Sequence, residues 1–148
     1  MKTAALATVL ALSALAMGEA KTHSTFRLHV EASANDGPAF SSKLHLFGRD
    51  VTIEKVPSLS ENDVTGLRTF RAADGTHAAL FELNEHGRIA LDSLSVERRG
   101  GSLFVFINGR PLTELQIDRR VSDGKIYIAS GLTANDVALL RKDWPTRK

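Results

Sequence analysis

The stretch Leu103-Phe104-Val105-Phe106-Ile107 is apolar at every position and runs straight into Asn108-Gly109. An Asn-Gly pair between two extended runs is the strongest short-range signal for a two-residue hairpin turn, because both residues tolerate positive φ. Side chains alternate along a strand, so Leu103, Val105 and Ile107 point one way and Phe104 and Phe106 the other. No polar face remains, and two separate layers have to cover this strand. If helices pack on the first face, either the chain's own N-terminal strands cover the second, or its two phenylalanines form a patch left for a partner.

The rest of the sequence offers the material for such layers. Thr25 to Glu31 alternates, with Phe26, Leu28 and Val30 opposite Arg27, His29 and Glu31, as a strand with one wet face does. Asn35-Asp36-Gly37-Pro38 breaks it. Lys43 to Phe47 and Val51 to Lys55 flank Gly48-Arg49-Asp50 and read as a hairpin, closed by Pro57, which lacks the amide a central strand needs. Leu67 to Arg71 and His77 to Leu83 flank Asp74-Gly75, a second turn signal, and Arg110 to Leu115 is the return strand after Asn108-Gly109. Asn84 caps a stretch with Ile89, Ala90, Leu91 and Leu94 at helical spacing, which Gly100-Gly101 ends. A last strand, Lys125 to Ala129, leads through Gly131 to a second helical pattern carrying Val137, Leu140 and Trp144. The expected fold class is α+β: a mainly antiparallel or mixed β-sheet built from hairpins, with two to three α-helices packed on one face.

Two hexamers, LSENDV from Leu59 and LTANDV from Leu132, differ at only two positions. In each, a hydroxyl residue (Ser60, Thr133) precedes by three an aspartate (Asp63, Asp136), so the hydroxyl can accept from free first-turn amides while the carboxylate reaches back. Leu59 with Val64, and Leu132 with Val137, have the spacing of a hydrophobic staple. The pair therefore reads as two helix starts, with Asn84 a third cap, and not as a duplicated catalytic or metal element.

Lys2 followed by the apolar run Ala4 to Met17 has the shape of a secretory signal peptide, too short to span a bilayer. Residues 1–20 are expected to be removed, after Ala20 or alternatively after Ala16, leaving 21–148 as a single domain that is periplasmic or secreted from a bacterium. The chain has no cysteine, so neither a lipid anchor of the bacterial type nor disulfides are available, and packing and hydrogen bonds supply all the stability. Lys2 and Glu19 leave together, so the net charge stays at +2. That is too little to presume nucleic-acid binding. No apolar stretch after the signal is long enough to cross a membrane.

From Val51 onward the order of pieces resembles the head of the first periplasmic domain of SecD, a subunit of the bacterial protein-translocation machinery. Leu59 to Val64 after a proline looks like the segment opening that head's first helix. Leu83-Asn84-Glu85-His86-Gly87 with Ile89 to Ser95 resembles its asparagine-glycine helix. Leu103 to Gly109 looks like its apolar strand and turn, and Gly131-Leu132-Thr133 to Leu139 like its closing helix start. Two departures concern register: Pro111 stands two residues after Gly109, nearer than is usual, and Ala129-Ser130 adds a residue before Gly131. The resemblance implies an extracytoplasmic domain contacting polypeptide, without the transmembrane helices that would carry transport.

On this reading the protein is a non-enzymatic binding domain for polypeptide or envelope protein, with no cofactor and no metal. The expected contact surface is Phe104 and Phe106, beside Tyr127, rimmed by Arg98, Arg99, Arg119 and Arg120, to which an extended segment would add as a strand. Two rivals stand beside it. His29 and His45 on the polar sides of their strands would serve a small metal protein or hydrolase, although neither HExxH nor G-x-S-x-G occurs and Gly100-Gly101 is not followed by a phosphate-loop lysine. Self-association through Phe106 would make a structural envelope protein. His86, in a helix's first turn, reads as a surface residue.

Overall fold

A computed structural model describes residues 23–33 and 35–144. The expected signal peptide and both cleavage points lie outside the described residues. The elements are β1 (Phe26–Val30), β2 (Ser41–Leu46), β3 (Arg49–Glu54), β4 (Leu59–Ser60), a 3-10 turn (Glu61–Asp63), β5 (Val64–Arg71), β6 (His77–Leu83), α1 (Glu85–Glu97), β7 (Ser102–Ile107), β8 (Arg110–Gln116), β9 (Lys125–Leu132) and α2 (Ala134–Asp143). They form a four-stranded sheet ordered β4-β1-β7-β8, a three-stranded sheet ordered β5-β6-β9 and the hairpin β2-β3. All pairings are antiparallel. The α+β class expected from the sequence is the one observed.

The continuously apolar strand, β7, lies in the middle of the larger sheet and is covered on both sides. Leu103, Val105 and Ile107 join Phe26, Leu28 and Val30 of β1 in the main core, which also takes Leu67, Phe81, Ile126 and Ile128 from the smaller sheet, Leu91 from α1, and Val137 and Leu140 from α2. Phe26 and Phe81 meet there at a ring-centroid distance of 4.7 Å and join the two sheets. On the other side, Leu46, Val51 and Ile53 of the β2-β3 hairpin close over Phe104 as a second, smaller core, with Leu44 and Phe106 at its margin. The chain's own N-terminal hairpin supplies the second layer.

The turns follow their chemistry. Asn108 and Gly109 have φ of 51° and 76°, and Ile107 pairs with Arg110 across them, a two-residue hairpin of the type that needs positive φ twice. Pro111 then faces Phe106, and the register shifts so that Val105 faces Thr113. This bulge absorbs the early proline, on an edge strand where a missing amide is tolerated. Across the Asp74-Gly75 signal, Arg71 pairs with His77, and Asp74 accepts from both the amide and the hydroxyl of Thr76. These bonds hold the Asp74 carboxyl below its ordinary range. Phe47-Gly48 repeats the Asn108-Gly109 geometry with φ of 51° and 79°, but places a half-exposed phenylalanine where a side chain is disfavoured. Phe47→Asn is therefore expected to stabilise the fold by roughly 0.5–1 kcal/mol, read as a higher urea midpoint with an unchanged slope.

The two hexamers part company here. Thr133 caps α2 as expected: its hydroxyl accepts from the Asp136 amide and Asp136 accepts from the Thr133 amide. Ser60 and Asp63 make the same reciprocal cap, yet the segment they open is one 3-10 turn and not the α-helix expected. Beyond Asp63, Val64-Thr65-Gly66-Leu67 has β-branched and alternating character, and it pairs with β6 from Leu83 downward. Tertiary pairing ends the helix after one turn. Both staples survive, with Leu59, Val64, Leu132 and Val137 all in the main core.

Candidate functional site

β8 and β9 are consecutive strands, yet each is the last strand of a different sheet. One row of backbone amides and carbonyls on each therefore lacks a strand partner among the described residues. The two edges touch where Gly131 passes Leu112: a Cβ on Gly131 would stand 3.3 Å from Leu112 Cδ1. Gly131 also has φ of 100°, a backbone region closed to ordinary side chains. Toward the other end the strands diverge around a cleft of about 640 Å³. Leu103 and Ile126, 6% and 4% exposed, lie at its apolar base, with Leu115 to Ile117 as one wall and Lys125 to Tyr127 with Leu80 as the other.

Residues 118–124 close the wide end of the cleft and are tied along α1. Arg120 binds both carboxylate oxygens of Asp92, the Val121 amide donates to Ser95 Oγ at 2.9 Å, and Arg88 reaches the Ser122 carbonyl. The Arg120 hydrogen bond holds the Asp92 carboxyl below its ordinary range. Arg88, bound to Glu85, does the same to that carboxyl. The wall of the cleft is thus fastened to a helix.

Of the surface expected from the sequence, the structure brings together only part. Phe104 is 1% exposed, under the hairpin and with the Arg49 guanidinium 5.9 Å from its ring centroid. Phe106 is half-buried beside it, its ring edge-on to His29 at 5.3 Å. Tyr127 is 56% exposed but belongs to the other sheet, opposite Leu80, and does not lie next to Phe104. Arg98 is taken up by Glu54 and Arg120 by Asp92. Arg99 and Arg119 are exposed. Tyr127, Arg119 and Arg120 do meet, around the cleft between β8 and β9. Sequence reasoning missed the cleft because a splay between two strands is a tertiary fact. Its one local trace is the unpatterned run Ile117 to Gly124 between two alternating segments.

The histidines are placed apart. His29 Nδ1 lies 2.8 Å from the Glu54 carbonyl, and His45 Nδ1 lies 2.8 Å from Asp50. Among the described residues no group of three or more His, Asp or Glu side chains is arranged to hold a metal ion. His86, expected as a plain surface residue, has a structural bond: its Nδ1 lies 2.8 Å from Asp63 Oδ1 and joins the start of α1 to the 3-10 turn.

No protein-family model matches the sequence, and no curated protein matches it. Solved structures do match by fold. A structure of SecDF, described as a membrane component that enhances protein export, superposes with a TM-score of 0.57 at 14% identity, over 84% of this chain and 65% of that one. The fold is SecD-like. A second structure, of SecDF in a super-membrane-facing form, gives a TM-score of 0.58 at 13% identity over 83% of this chain. The SecD-like chain spans 65% of the first of these proteins and 19% of the second, and at such identity the likeness concerns architecture alone. Among the described residues no helix is long and apolar enough to cross a membrane.

Proposed function

We propose that this chain is an exported, non-enzymatic domain that binds an extended segment of polypeptide, from a passing chain or an envelope protein, between β8 and β9. The observation that carries this reading is the cleft itself: two unpaired strand edges diverging over an apolar floor. Main-chain groups of a bound segment would complete one or both edges, giving affinity that does not depend on sequence. Its side chains alternate, so one set would rest over Leu103 and Ile126 and the other would meet Tyr127 and Arg119 at the rim. The fold adds support, since SecDF, which shares it, is a component that enhances protein export.

Titration with a reduced, carboxymethylated unfolded polypeptide, followed by amide NMR, tests this. Shifts are expected in Leu115 to Ile117 and Lys125 to Ile128. Tyr127→Ala is expected to weaken binding about tenfold, the loss typical of a contact aromatic, with little change in stability because the ring is more than half exposed. Signals that stay still at millimolar polypeptide, or that move only over β2-β3, would rule the cleft out.

A further inference from the structure

The outward side of α1 carries apolar residues that nothing among the described residues covers. Leu91, on the inward side, is in the main core, whereas Ile89 and Val96 are 53% and 57% exposed. They stand seven residues apart, two turns along one face, and exposed His86 and Ser93 complete the stripe at spacings of three, four and three. At 100° per residue, Glu85 and Asp92 border it on one side and Glu97 on the other. The exposed Arg99 follows just beyond the helix end.

We propose that this stripe pairs with the same stripe of a second copy of the chain, the two helices antiparallel about a two-fold axis near Ser93. In that arrangement Ile89 of each copy packs on Val96 of the other, and the small Ser93 at the crossing allows the helices to approach. The charges match across the same axis. Glu85 in the first turn, which Arg88 of its own helix also binds, comes opposite the exposed Arg99 of the second copy. Each contact occurs twice by symmetry, and antiparallel helix dipoles attract. The mixed signs argue against a bilayer as occupant, which would call for a basic polar face. A 13-residue helix is about 20 Å long, so the interface is small and the dimer is weak and concentration-dependent.

Sedimentation velocity of the full chain over micromolar to millimolar concentrations reads this out. The weight-average sedimentation coefficient is expected to climb with concentration, and the Ile89→Asp/Val96→Asp double variant is expected to hold the monomer value throughout. Glu85→Arg and Arg99→Glu are each expected to weaken association at least about threefold. An equimolar mixture of those two variants is expected to regain it, because only the mixed dimer restores opposite charges at both ends. All four positions are solvent-facing, and circular dichroism checks that the variants keep the fold. A wild-type chain that is monomeric throughout, a double variant that associates like the wild type, or a mixture no tighter than its components would each overturn the proposal.

Discussion

Phe104→Ala is expected to destabilise the protein by about 3–5 kcal/mol, the range for truncating a fully buried phenylalanine. Phe104 is 1% exposed and is the largest fully buried side chain of the small core it forms with Leu46, Val51 and Ile53, where Leu44 and Phe106 are only partly buried. The cost has two parts: the transfer free energy of the ring, and a void that a two-stranded hairpin cannot close by itself. Beyond the loss of global stability, hydrogen exchange should show the hairpin opening independently, with β2 and β3 amides losing protection before those of β1 and β7. Urea denaturation with amide exchange on the same sample measures both. A loss below about 1 kcal/mol would mean that Phe104 is a surface residue, the alternative left open by the sequence.

That open alternative marks the boundary of what the sequence discloses. Periodicity and turn residues placed nearly every element, since a half-buried strand writes its pattern locally: Phe26, Leu28 and Val30 alternate in the chain and are all in the main core. Asn108-Gly109 and Thr133 were equally legible, because turn and cap chemistry act within four residues. The resemblance to the SecD head, read from four short stretches, agrees with the fold observed. Partner choice between elements is not written locally. An all-apolar strand states that both faces are covered without saying by what, so Phe104 and Phe106 read either as a core or as an exposed patch. Tyr127 likewise alternates correctly in β9, but which sheet β9 would join depends on pairing with Phe81 and Leu80 far away in the chain. The cleft between β8 and β9 inherits that ambiguity, because it exists only once the two strands have gone to different sheets.

The first hexamer carries the second large prediction. Asp63→Ala is expected to cost about 2–3 kcal/mol, while Ser60→Ala costs only about 1 kcal/mol. The difference follows from how many elements each side chain joins. The Ser60 hydroxyl accepts only within its own turn, from the Asn62 amide at 3.3 Å and from the Asp63 amide in the capping box. Asp63 is 7% exposed; its Oδ2 accepts from the Ser60 amide at 3.0 Å and its Oδ1 meets His86 at 2.8 Å. Around it the Asn84 amide donates to the Asp63 carbonyl at 2.7 Å and the Asn84 side chain donates to the Asn62 carbonyl. Gly87 leaves the room for this, since a Cβ there would stand 3.0 Å from Asp63 Cβ. The 3-10 turn and the N-terminus of α1 are therefore one interlocked cap, and Asp63 is its hinge pin. Alanine at position 63 leaves the part-buried Ser60 amide without its carboxylate acceptor and frees the helix start, whereas alanine at 60 leaves the interlock intact. Chemical denaturation of both variants, with His86→Ala closing a double-mutant cycle on Asp63, measures the difference. Equal costs for the two substitutions would reduce Asp63 to an ordinary cap and detach α1 from the turn that precedes β5.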